Sequence, residues 1–172
     1  MSDLGEVKAK ATVSSYQSMD GSNFTTAGYE LKYKNAPSVY AGFGTDFSGK
    51  SVFVADIKDS HSYGQDGMFG CNVRIRTKAG EDTASTQFRV SPCSVNVPIN
   101  DKTCVYVNPH YSGTYNYKTQ KWTNSAGIFG GVSQKVSDNT TISLEAQRYN
   151  LQNIGDNSGK NWSVNAVISI NL

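Results

Sequence analysis

The chain ends Trp162-Ser163-Val164-Asn165-Ala166-Val167-Ile168-Ser169-Ile170-Asn171-Leu172. Successive side chains of a β-strand point to opposite sides. Read that way, one side carries Trp162, Val164, Ala166, Ile168, Ile170 and Leu172, and the other carries Ser163, Asn165, Val167, Ser169 and Asn171. A helical reading would scatter both sets around the axis, whereas period two separates grease from polarity almost completely.

The same separation recurs upstream. Val105, Val107, Pro109, Tyr111, Gly113, Tyr115 and Tyr117 oppose Tyr106, Asn108, His110, Ser112, Thr114 and Asn116. Phe69, Cys71, Val73 and Ile75 oppose Gly70, Asn72, Arg74 and Arg76, and Ile142, Leu144 and Ala146 oppose Thr141, Ser143, Glu145 and Gln147. Val7, Ala9, Ala11 and Val13 oppose Lys8, Lys10, Thr12 and Ser14, while Ala27, Tyr29, Leu31 and Tyr33 oppose Gly28, Glu30, Lys32 and Lys34. These alternations predict strands over 6–17, 24–34, 38–47, 51–58, 67–78, 83–96, 103–117, 124–136, 140–151 and 161–172. Turn residues such as Ser137-Asp138-Asn139-Thr140 and Ala79-Gly80-Glu81-Asp82 punctuate them. The expected fold is all-β: a closed antiparallel up-and-down transmembrane barrel of 8–10 strands, in a single domain over 1–172.

Composition fits that class. Of 172 residues, 37% are hydrophobic and 17% charged, with a net charge of +2, and Gly, Ser, Thr, Asn and Tyr fill the remainder. No apolar run approaches the length of a transmembrane helix, but barrel strands hide their apolarity by alternation. The small net charge, with no basic stretch interleaved with aromatics, argues against nucleic acid as a partner. The opening Met1-Ser2-Asp3-Leu4-Gly5-Glu6 lacks a charged-then-apolar leader, which leaves a soluble protein or one whose signal peptide has been removed.

Soluble and membrane barrels both alternate, inside-out to one another. The polar faces carry Lys8, Lys10, Glu30, Lys32, Arg74, Arg76, Arg89, Glu145 and His110. In a membrane barrel these converge in the lumen, where the carboxylates of Glu30 and Glu145 must meet the Lys and Arg set. The apolar faces mix small residues with Tyr29, Tyr33, Tyr115, Tyr117 and Trp162, and such rings suit the headgroup level at strand ends. A soluble core would call for bulky Leu, Ile and Phe. These features favour the membrane barrel.

On those residues the chain resembles the small Gram-negative outer-membrane β-barrels, a broad group that includes attachment-invasion and opacity-type proteins. The resemblance is strongest in Ala126-Gly127-Ile128-Phe129-Gly130-Gly131-Val132-Ser133-Gln134-Lys135-Val136, the following Ser-Asp-Asn-Thr, and Thr141 to Tyr149. It implies that Trp162, Val164, Ile168, Ile170 and Leu172 form the C-terminal signal for the outer-membrane insertion machinery, although the group ends on an aromatic and this chain on Leu172. It further implies a periplasmic C-terminus, with Ser18–Asn23, Ser48–Lys50, Ala79–Asp82, Lys118–Asn124 and Gln152–Lys160 extracellular and a long periplasmic Asp59–Asp66.

Other constellations carry less. Cys93 and Cys104 flank the Val97–Lys102 turn nearly symmetrically, so a disulfide between them is an open alternative to two reduced thiols; Cys71 falls on the apolar face. His110, Ser112 and Glu145 are residue types that could support acyl transfer, but no G-x-S-x-G element accompanies them and a hydrogen-bonded lumen histidine is the better reading. His61 lies in an expected loop and carries no message alone. Gly127–Gly131 and Ala41–Gly44 lack the helix and lysine of a phosphate loop. Asp56, Asp59 and Asp66 lack calcium-loop spacing, so no metal and no cofactor is expected. Pro92 and Pro109 fall inside expected strands and require bulges or rim positions.

The reading that follows is a non-catalytic integral barrel of the bacterial outer membrane, whose partners are the lipid bilayer, the insertion machinery and a host or cell-surface ligand bound by its loops. A soluble all-β binding module, lipocalin-like or a viral surface domain, is the alternative, and a barrel enzyme acting on lipid is the third.

Overall fold

A computed structural model describes residues 7–18, 23–64, 68–80, 84–153 and 161–172. These form ten strands: β1 (Val7–Ser18), β2 (Asn23–Tyr33), β3 (Ser38–Asp46), β4 (Ser51–Tyr63), β5 (Phe69–Gly80), β6 (Ser85–Pro98), β7 (Thr103–Asn116), β8 (Lys121–Lys135), β9 (Thr140–Arg148) and β10 (Trp162–Asn171). Each pairs antiparallel with its neighbours in the chain, and β1 closes on β10 from Lys10↔Asn171 to Ser18↔Ser163. The fold is a closed up-and-down barrel. β1 starts and β10 finishes at one end, called here the near end; the connections β1–β2, β3–β4, β5–β6, β7–β8 and β9–β10 lie at the far end. Expected loop residues within 19–22, 81–82 and 154–160, together with Asp66, lie outside the described residues.

Alternation decides which way the wall faces. Most wall pairs set like with like: Val13 lies across from Ile168 and Ala27, and Ser14 across from Thr26. The apolar set points outward. Ile168 is 44% exposed, and Val105, Val107 and Ile170 are similarly open. Thirty-three large hydrophobic side chains are exposed, whereas Phe24, Val52 and Val54 are the buried hydrophobics among the described residues. Water does not tolerate a continuous belt of that kind on a monomer, so the barrel is of the transmembrane type. The soluble reading, which needs the same side chains inside, is reversed by this geometry.

Three features of the wall bear on the expected strands. β4 runs to Tyr63 rather than stopping near Lys58, because Asp59–Tyr63 pair with Val73–Phe69 of β5. The supposed long connection Asp59–Asp66 is therefore mostly strand, and His61 is a strand residue rather than a loop residue. Second, both awkward prolines fall on one irregularity. The β6–β7 ladder has no pairs between Val90↔Tyr111 and Val95↔Val107, and the β5–β6 register slips between Gly70 and Asn72. Pro92 sits in that bulge and Pro109 faces it, so neither removes a ladder hydrogen bond that a regular pair would need. Third, the connections are short: 34–37, 47–50, 99–102, 117–120 and 136–139 are each four residues.

An outward position in mid-strand tolerates no charge if hydrocarbon surrounds it. Leu144→Arg, at the centre of β9, is expected to lower the stability of the vesicle-folded barrel by about 2–4 kcal/mol, and Val136→Arg, in the β8–β9 connection, by about 0–1 kcal/mol, both read from denaturant titration in lipid.

Candidate functional site

Parity places the polar half of every strand in the lumen, which holds a cavity of about 630 Å³ bordered by residues of all ten strands, from Lys10, Lys58 and Asn96 toward the near end to Lys78 and Ser85 toward the far end. Six basic residues line it (Lys10, Lys58, Arg74, Arg76, Lys78, Arg89) against three acidic ones (Glu30, Asp56, Glu145). Five of the six basic residues stand on the contiguous strands β4, β5 and β6. Arg74, Arg76 and Lys78 follow each other at period two along β5, a row about 13 Å long at strand rise. The facing strands β9, β10 and β1 carry Glu145, Asn165, hydroxyls and the sixth cation, Lys10.

Register explains the ion pairs. Asp56 of β4 is opposite Arg76 of β5, with Arg74 one inward step away, so a single carboxylate meets two guanidiniums. Asp56 Oδ2 accepts from Arg74 Nε and its terminal nitrogen at 2.6 Å and from Arg76 at 2.9 and 3.0 Å. The Arg74 side chain keeps only 17% of its surface exposed. Lys10 and Glu30, direct partners across β1 and β2, meet at 2.6 Å. Among the described residues, Glu145 meets no Lys or Arg. It accepts the Tyr106 hydroxyl at 2.7 Å and the Asn165 amide at 3.1 Å, and Asn165 in turn accepts from Ser14 at 2.8 Å.

Arg89, buried in the lumen, lies over the Phe129 ring at 5.6 Å and reaches Gln87 and Gln147 at 3.4 and 3.5 Å, with no carboxylate among these contacts. Its Nε, the Ser91 hydroxyl and the Asn108 carbonyl are buried without a partner among the described residues. These orphans cluster on the inner side of the β6 bulge and need water or solute to satisfy them.

His110 is 4% exposed and shares a hydrogen bond of 2.9 Å with Gln147, between rings of Phe129 and Tyr149. Gly127 lies across from it, and a Cβ there would sit 2.5 Å from the imidazole, so glycine makes the room the ring occupies. The acyl-transfer set is not assembled: Ser112 donates to the Ser125 carbonyl, and Glu145 is committed to Tyr106 and Asn165. Among the described residues, no three His, Cys, Asp or Glu side chains converge as metal ligands.

The remaining sequence candidates are placed as follows. Lys8 and Lys32 face each other across β1 and β2, outside the set that borders the cavity. Tyr33, Tyr115, Tyr117 and Trp162 sit at or beside strand ends, while Tyr29 stands four residues inside β2. On β10, Trp162, Val164, Ile168, Ile170 and Leu172 point outward. The three cysteines are free thiols, and Cys93 and Cys104 cannot meet. Cys104 is opposite Pro98, five residues from Cys93, a separation of about 16 Å along a strand. The bulge also turns Cys93 outward, whereas Cys104 shares the inward parity of Tyr106.

Sequence reasoning missed Asp56, Lys58, Lys78 and Phe129. The first three share the inward parity of their strands, a signal present in the sequence. Phe129 faces inward beside Arg89 and His110, and Phe24, Tyr16 and Tyr40 gather against Val52 and Val54 inside the wall of β1–β4; none of these four rings was singled out from the sequence.

No protein-family model matches the chain, and no curated protein matches it. Solved structures match in outline. The KdgM porin is 8% identical, with a TM-score of 0.49, over 94% of this chain and 98% of its own. The designed transmembrane barrel TMB2.3 is 16% identical, with a TM-score of 0.46, over 99% and 97%. OmpT, an outer-membrane protein of Vibrio cholerae, is 13% identical, with a TM-score of 0.37, over 88% of this chain and 56% of its own.

Asp56 is the electrostatic keystone of the wall. Asp56→Ala strands two guanidiniums and is expected to cost about 2 kcal/mol, whereas Glu30→Gln, at the more open pair, costs under about 1 kcal/mol; vesicle unfolding titrations of both variants separate the two.

Proposed function

We propose that this barrel is an integral protein of a bacterial outer membrane whose lumen is a narrow, water-filled conduit for small anionic solutes. The observation that carries the proposal is the basic row Arg74-Arg76-Lys78 with Lys58 and Arg89 on one wall, six cations against three carboxylates around one axial cavity. In a low-dielectric tube an excess of fixed positive charge concentrates counter-anions and repels cations. The rings of Phe24, Tyr16 and Tyr40 narrow one side and limit passage to small solutes. Placement in the outer membrane rests on the even strand number, the short described connections and the outward aromatics at strand ends. The apolar face of β10 is then the segment that the insertion machinery reads.

Recognition of a host or cell-surface ligand by far-end connections is a second reading. One observation favours it. The connection between Tyr149 and Asn161 is the longest, and its 3-10 turn at Leu151–Asn153 is held on β8 by Gln152, which bonds the Ala126 amide at 3.0 Å and the Asn124 carbonyl at 3.3 Å.

Planar-bilayer recording tests the conduit. Single steps of conductance with a reversal potential of anion-selective sign in a KCl gradient are expected, and Lys78→Gln combined with Arg89→Gln moves that potential toward zero. A closed, silent barrel, or cation selectivity, removes the conduit and leaves the surface-recognition reading.

A further inference from the structure

The cysteines left over from the wall carry a separate message. The β5–β6 register pairs Gly70 with Ser94 and Asn72 with Ser91, so one residue of β5, Cys71, spans the step where two of β6, Pro92 and Cys93, are found. Two residues against one is the geometry of a β-bulge. Ser91 and Ser94 are buried on the lumen side, while Pro92 and Cys93 are both exposed on the outer side. Cys71 has the outward parity of Val73 and Ile75. The two thiols are therefore cross-strand neighbours on one face. Opposed residues of an antiparallel pair have Cα atoms roughly 4.5–5.5 Å apart, within the roughly 4.4–6.8 Å that a disulfide spans.

Their surroundings are polar enough for water-soluble chemistry. His61 is the β4 partner of Cys71, and its Nε2 meets Asp59 Oδ2 at 3.3 Å. Such a pair does not sit in hydrocarbon, which puts this patch at the near-end water boundary.

We propose that Cys71 and Cys93 are a covalent modification site: a dithiol that closes into a cross-strand disulfide over the β6 bulge when a low-molecular-weight disulfide is supplied as oxidant. The exposed Cys93 thiolate attacks the oxidant's S–S bond and releases one thiolate. The Cys71 thiolate then attacks the Cys93 sulfur and expels the second. Two protein thiols are oxidised, one disulfide is reduced to two thiols, and the two protein protons pass to the departing thiolates. The bond pins the β5–β6 register slip at the β6 bulge. It is independent of what the lumen carries.

Detergent-folded barrel treated with oxidised glutathione, then quenched and alkylated, provides the test. The reduced chain takes three alkyl labels, one for each cysteine. After oxidation one label is expected, on Cys104, with a Cys71–Cys93 linked peptide and the loss of two hydrogens. Cys104→Ser leaves that link unchanged, and Cys71→Ser stalls as a glutathione adduct on Cys93. Three labels retained, a stable adduct on Cys93 of the unmutated chain, or any intramolecular link that includes Cys104 overturns the proposal.

Discussion

Closure of the hydrogen-bond ring governs everything else in this molecule. In hydrocarbon an unpaired amide or carbonyl has no water to turn to, so a spanning sheet must leave no edge. The pairing of β1 with β10 completes that ring. Once it is closed, side-chain direction is no longer free: outside the β6 bulge, each strand residue faces lipid or lumen by parity. The wall's apolar coat and the lumen's charges are two consequences of one alternation.

The lumen shows how a barrel this small handles charge. Dispersed around the ring, its cations would repel; instead β4 inserts Asp56 between Arg74 and Arg76, and a glutamate stands at Lys10. The carboxylate of Glu145 is held by neutral donors on the other side, which leaves Arg89 over an aromatic ring rather than an acid. The result is a transverse arrangement, with five of the six lumen cations on β4–β6 and amides, hydroxyls and the Glu30-paired Lys10 on β9–β1. The bulge of β6 adds to it, since its inner side presents polar atoms that have no partner among the described residues and that water or a solute can satisfy.

Much of this was legible in the sequence because alternation is a local signal. The faces of β10, β7 and β5 read directly, and polar turns mark the ten strand ranges, although alternation alone left the barrel at 8–10 strands. What escaped has physical causes. β4 looked as if it ended near Lys58 because Asp59 and His61 place polarity on its outer face, breaking the pattern where the wall meets water. The Cys93–Cys104 pairing looked plausible from distances counted about a turn, but a bulge shifts parity and only the register reveals it. Asp56 was weighed against a calcium loop, although its role depends on which β5 residues sit opposite, a property no single strand carries. Phe129 and Phe24 face inward because the lumen of a small barrel must be filled as well as wetted, and composition does not distinguish the two.

The central claim is that adjacent residues on one strand see opposite solvents. Spin labels placed singly at Leu144 and at Ser143, in vesicle-folded protein with the native cysteines replaced by serine, measure this through collision with oxygen, which partitions into lipid, and with a charged nickel chelate, which stays in water. The account predicts oxygen-dominated relaxation at position 144 and chelate-dominated relaxation at position 143. Equal chelate access at both positions, or the reverse order, would contradict it.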